Sequence, residues 1–213
     1  MNKNFWLLII SVTFALFGLA SCEEAEEIDA YANWKVRNDA FIDSIANVAT
    51  NSASGWRIYK AWNLPPDEIG GTSTSRNVND YIYVRVIEEG TGTVTPLYTD
   101  SVETHYNFQY FTGEIVQKTF RGEDPDPEID RVVGFRVNGV VVGFQTAVQY
   151  MRQGDRWMVY IPWNLGYGES DYSPSGLSRT IIGGSTLVYD LTLANVITSK
   201  KETKSDSIKE LEN

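Results

Sequence analysis

Residues 102–110 read Val102-Glu103-Thr104-His105-Tyr106-Asn107-Phe108-Gln109-Tyr110. Mostly apolar residues take every second place, and Glu103, His105, Asn107 and Gln109 fill the places between them. Successive side chains of a strand point to opposite faces, so this spacing predicts a half-buried antiparallel strand with His105 on its polar face. The same period recurs at Tyr81–Glu88, at Val133/Phe135/Val137, over 157–161, and at Leu187/Tyr189/Leu191/Leu193. Asn138-Gly139 adds a turn signal directly after Val137. Against these strands stands one short helix, since Phe144, Ala147, Val148 and Met151 fall at i, i+3, i+4 and i+7 before a stop at Gly154. The pattern predicts an α+β fold with an antiparallel sheet.

Upstream, Trp34, Phe41, Ile45 and Val48 lie on one stripe of an amphipathic helix over 28–49. That stripe either docks on the domain that follows or pairs with a second copy of the chain. A strand-like piece over 56–61 precedes a linker with Pro65-Pro66 and Gly70-Gly71, where missing amide donors and free glycine dihedrals favour turns. The main domain is predicted to begin near Asp80 and to fold without the helix, even in a chain starting at Thr72. After it, 198–213 is charged or polar and reads as a flexible tail.

With 213 residues and 42% hydrophobic side chains the chain buries a sizeable core. Its formal charge of −10 repels nucleic-acid phosphates, so no nucleic-acid partner is expected. One cysteine and one histidine cannot assemble a zinc site, a disulfide or a Cys-His nucleophile. Asp124, Asp126, Glu128 and Asp130 alternate as calcium ligands do, but Ile129 and Phe135 stand where such a loop needs Gly and Glu, so they read as a solvated loop. Gly90-Thr91-Gly92 lacks the further glycine and helix of a phosphate cradle and reads as a turn. His105 has neither a paired acid nor a nucleophile elbow beside it and reads as structural. No metal or cofactor is expected.

Five motifs then follow in order. They are His105-Tyr106; Val140-Val141-Val142-Gly143-Phe144; Met151-x-x-Gly154-Asp155; Ile161-Pro162-x-x-Leu165-Gly166-Tyr167-Gly168; and Ser185-Thr186-Leu187-Val188-Tyr189-Asp190-Leu191. Together they resemble the FKBP-type peptidyl-prolyl cis-trans isomerases, over about the last 115 residues before the tail. The resemblance implies a curved antiparallel sheet wrapped around one short helix, an FKBP-like domain over 80–197, and a prolyl pocket between helix and sheet. Carried onto this sequence, it implies that Phe144 forms the pocket floor and that Tyr106 and Tyr189 are aromatic walls. Val140, Val141 and Ile181 supply aliphatic walls, and the Val141 N–H and Tyr167 hydroxyl are donors to ligand carbonyls. The family's F-D segment falls on Val116-Gln117, which removes a wall aromatic and a carboxylate and implies a weak isomerase. The I-P-P segment reads Ile181-Ile182-Gly183, and the loop over 169–180 is longer than the common form.

The chain opens with Lys3 and an apolar run over 5–20, too short for a bilayer span of ~20 residues, which reads as a signal peptide. It closes in Leu19-Ala20-Ser21-Cys22, which resembles a lipobox, so Cys22 is expected to carry lipid and 1–21 to be removed. The run Glu23-Glu24-Ala25-Glu26-Glu27 resembles the export signal of surface-exposed lipoproteins and equally reads as a solvated acidic tether, the first part of a segment over 22–79 that also holds the helix and the linker. Asp43-Ser44-Ile45, Asp100-Ser101-Val102 and Asp206-Ser207-Ile208 match a short O-glycosylation pattern of envelope proteins. The expected protein is an outer-membrane lipoprotein that isomerises X-Pro bonds in proline-containing polypeptides. The alternative is a binding module that docks on an outer-membrane partner through the helix or the 169–180 loop.

Overall fold

The computed structural model describes residues 29–52, 54–66, 77–177 and 179–199. The signal run, Cys22, the acidic run, most of the Gly70-Gly71 linker and the tail beyond Ser199 lie outside the described residues. Helix α1 (Trp34–Asn51) and β1 (Trp56–Lys60) come first, then β2 (Tyr81–Glu88), β3 (Ser101–Tyr110), β4 (Ile115–Lys118) and β5 (Val133–Arg136). Helix α2 (Val142–Tyr150), β6 (Arg156–Ile161) and β7 (Leu187–Ile197) complete the described elements. All strand pairs are antiparallel, in the order β1-β2-β6-β7-β3, and β4 and β5 share the far edge of β3, where they pair with 107–109 and 101–104. The strands legible from their alternation are all present. Only β4 was missed, because Ile115-Val116-Gln117-Lys118 is short and does not alternate.

Helix α2 lies against one face of this curved sheet, over Ile82, Val84, Trp157, Val159 and Ile161. The approach is close enough that a Cβ on Gly143 would sit 2.2 Å from Ile161 Cγ2, so only glycine fits in the first turn. On the opposite face, Tyr81 and Tyr83 pack with Ile42, Ala46 and Ala49 of α1. Both faces of β2 are therefore covered, which explains the unbroken apolar run Tyr81-Ile82-Tyr83-Val84.

Helix α1 docks on its own chain along a stripe different from the one its hydropathy suggests. The buried residues are Trp34, Asn38, Ile42, Ala46 and Ala49, with Phe41 and Ile45 at the margin and Val48 45% exposed. Asn38 is fully buried: its Nδ2 donates to the Trp34 carbonyl at 2.8 Å, and its Oδ1 accepts from the Thr186 N–H at 2.7 Å. A polar residue therefore centres the stripe, because its amide satisfies backbone groups on both sides. Trp34 joins the main core and donates from Nε1 to Ser185 Oγ at 2.8 Å, while Trp163 Nε1 donates to Asp39 at 2.8 Å. The boundary at residue 80 does not divide the core, and residues from Asn33 onward form one compact unit.

The polar face of β3 is not solvated as its alternation suggests, and His105 is only 3% exposed. The connection between β4 and β5 folds back toward this face, where Arg156 forks onto both oxygens of Asp190 at 2.9 and 2.8 Å and also holds Asp124 and the Glu123 carbonyl. Asp130 caps the same connection, accepting from the N–H groups of Asp126 and Arg121 at 2.9 and 3.0 Å. Those bonds hold its carboxyl below the ordinary range. Of the acids over 124–130, Asp124 and Glu128 are exposed and Asp130 is half-buried, and Asp124 and Asp130 tie the connection down.

Candidate active site

The register of β3 on β7 sets the aromatic side chains. Phe108 lies opposite Tyr189 and Tyr106 opposite Leu191, so side chains at even positions of β3 and odd positions of β7 share the face toward α2. Phe144 enters from the first turn of α2, one residue after Gly143 has brought the helix down onto β6. The result is a closed circuit of four rings. Tyr106 and Tyr189 are 5.9 Å apart, Tyr189 and Phe144 5.4 Å, Phe144 and Phe135 5.8 Å, and Phe135 and Tyr106 5.9 Å. Three contacts are edge-to-face at 62°, 68° and 79°, an arrangement the ring quadrupoles favour. Phe108 stacks behind Tyr189 at 4.8 Å and stiffens that wall.

These rings line a cleft of about 690 Å³, in the ordinary range for small-ligand sites. Of the seven residues carried over by resemblance, Tyr106, Val140, Val141, Phe144, Tyr167 and Tyr189 line it. Ile181 does not: it is fully buried and pairs with Tyr172, N to O at 2.7 Å one way and 2.9 Å the other, supporting the wall from behind. Phe135 was not singled out, although its place in the Val133/Phe135/Val137 alternation marked it for the inward face. Gln117 was noted as a departure, and Val116 packs against the core without lining the cleft.

Polar groups punctuate the apolar walls. Val141 is the N-cap of α2 with extended backbone, and its N–H takes no partner among the described residues. The Tyr106 hydroxyl donates to Gln117 Oε1 at 2.6 Å. Burial, reinforced by the neighbouring Tyr167, pushes the Tyr106 phenol up to about 12. Burial also raises Tyr167, against the pull of its hydrogen bond with Tyr189, and holds Tyr189 well above the ordinary phenol value. All three hydroxyls therefore stay protonated around neutrality.

The long loop over 169–180 forms the remaining rim. Tyr172 stacks on Tyr167 at 5.1 Å, and Leu177 faces the same cleft. Its base is pinched shut: the Gly183 N–H bonds Asp171 at 2.8 Å, and a Cβ on Gly183 would lie 2.1 Å from the Glu169 carbonyl oxygen. Its far side is held by Arg179 on Glu114.

Residues 92–194 match the sequence family described as FKBP-type peptidyl-prolyl cis-trans isomerase. The chain is 30% identical over 125 residues to the macrophage infectivity potentiator of Trypanosoma cruzi, covering 59% of this chain and 58% of that protein. It is 33% identical over 114 residues to the FKBP-type 22 kDa peptidyl-prolyl cis-trans isomerase of Escherichia coli strain K12, covering 53% of this chain and 48% of that protein. The chain thus spans only about half the length of these relatives. The crystal structure of FkpA from Escherichia coli shares the fold, with a TM-score of 0.53 at 19% identity over 94% of this chain and 84% of that one. The ordered motifs, the sheet wrapped on α2 and the match over 92–194 agree on an FKBP-type peptidyl-prolyl cis-trans isomerase domain over those residues.

Proposed function

We propose that the chain isomerises X-Pro bonds in exported polypeptides, with the prolyl ring held in the box of Tyr106, Phe135, Phe144 and Tyr189. The four-ring circuit beside a helix N-cap N–H with no partner among the described residues is the observation that carries this reading. Turning the bond breaks amide resonance behind a barrier of ~18–20 kcal/mol, and the twisted amide is less dipolar than the planar one. Apolar walls therefore favour the twisted state over the planar one, while the Val141 N–H and the Tyr167 hydroxyl hold the flanking carbonyls. Such a reaction moves no electrons to or from the protein, so the side chains only bind and orient. The reading predicts that Tyr167→Phe and Phe144→Leu each lower kcat/KM about tenfold to hundredfold in a protease-coupled proline-isomerisation assay, with thermal transitions retained. Unchanged rates in both would favour the binding-module reading.

The N-terminal signals favour an envelope lipoprotein anchored in the outer membrane through Cys22. With α1 docked on its own sheet, its buried stripe is occupied within the chain, which favours a tethered single copy over dimerisation through the helix. Cys22→Ala is expected to leave an unprocessed precursor without lipid. Normal maturation of that variant, read by mass and membrane fractionation, would contradict the anchor.

A further inference from the structure

Building on the isomerase reading, we propose that Gln117 makes this cleft selective for prolines next to an acidic residue. No side chain lining the cleft carries a formal charge, although the chain as a whole is strongly acidic. Two acids near the rim are engaged elsewhere, Glu114 with Arg179 and Asp171 with the Gly183 N–H, and exposed Glu169 does not line the cleft. What faces the cleft is a set of donors, namely the Val141 N–H, the Tyr167 hydroxyl and the Gln117 amide. The Gln117 Oε1 faces the Tyr106 hydroxyl and accepts its proton at 2.6 Å. With its oxygen turned to Tyr106, the amide leaves the two Nε2 hydrogens for a ligand acceptor. A carboxylate beside the proline gains charge-assisted bonds from such donors, whereas an ammonium group finds no anion to compensate its desolvation. A carboxylate at position 117 would reverse both preferences.

The test compares Ala-Glu-Pro-Phe, Ala-Leu-Pro-Phe and Ala-Lys-Pro-Phe peptides on the full chain, by isomerisation rate and, in parallel, by calorimetric affinity. Wild type is expected to favour the Glu-Pro over the Lys-Pro peptide by about tenfold, and 0.5 M salt should narrow the gap. Gln117→Glu should lower that ratio at least about tenfold, and Gln117→Leu should bring the peptides close together, with the Leu-Pro peptide reporting any general loss of function. A wild-type ratio within twofold, or a ratio that Gln117→Glu leaves unmoved while the Leu-Pro peptide is still turned over, overturns the selectivity alone. Binding without turnover overturns the isomerase reading, and the affinity ratio then decides the selectivity by the same criteria. Absence of binding to all three peptides overturns both.

Discussion

Phe135 closes the ring of aromatics, and without it Tyr106 and Phe144 lose the side chain that joins them. Phe135→Leu keeps the strand apolar but opens one wall, so kcat/KM on an apolar X-Pro peptide is expected to fall about tenfold while the thermal midpoint moves little. An unchanged rate would mean that the substrate never reaches that wall. The tyrosines set the pH response. Their phenols are raised by burial, so below pH 10 neither the folded nor the unfolded chain has ionised them. Between pH 10 and about 12, where Tyr106 titrates, the unfolded chain loses protons that the folded chain keeps, and stability is lost as pH rises. The denaturation midpoint should therefore fall above pH 10, and Tyr106→Phe should blunt the fall. An equal fall in that variant would remove Tyr106 as a cause.

At the scale of elements, the contact between α2 and β6 sets how far Phe144 reaches over the sheet. Gly143→Ala places a methyl within 2.2 Å of Ile161 Cγ2, and relieving that clash is expected to cost about 1–3 kcal/mol. Because the helix moves as a unit, the same variant should also lose isomerase activity. Full stability in Gly143→Ala, read by denaturant unfolding, would show that the packing yields freely. The elements themselves were largely legible: alternation in 102–110 and 187–193 marked the two long central strands, and i, i+3, i+4, i+7 spacing marked α2. The buried stripe of α1 was not legible, since Asn38 is polar and its role depends on the Thr186 N–H, 148 residues away. Nor was the burial of His105, which depends on a charged connection folding back toward a strand whose pattern is that of a solvated face. In the site, ordered motifs located six lining residues, while Phe135 and the Tyr106–Gln117 bond emerge only from the pairing of β5 and β4 with β3.

Over the whole molecule, α1 and β1 extend the core from the side away from α2. Asn38→Leu would leave the Thr186 N–H without its partner in the interior, at an expected cost of about 1–3 kcal/mol in a denaturant unfolding experiment. A chain beginning at Thr72 would further lose Trp34 from the main core and leave Tyr81 and Tyr83 uncovered. It should therefore melt at a much lower temperature than the full chain or without a sharp transition. A midpoint equal to that of the full chain would show that the helix only rests on the sheet. The claim that the aromatic box turns X-Pro bonds is tested most directly by exchange spectroscopy on the cis and trans resonances of an Ala-Leu-Pro-Phe peptide, with no protease present. Substoichiometric full-length chain should produce exchange cross-peaks on the sub-second scale, where the free peptide takes tens of seconds, and Phe144→Leu should weaken them about tenfold or more. Cross-peaks absent with wild type, or equally strong with Phe144→Leu, would contradict it.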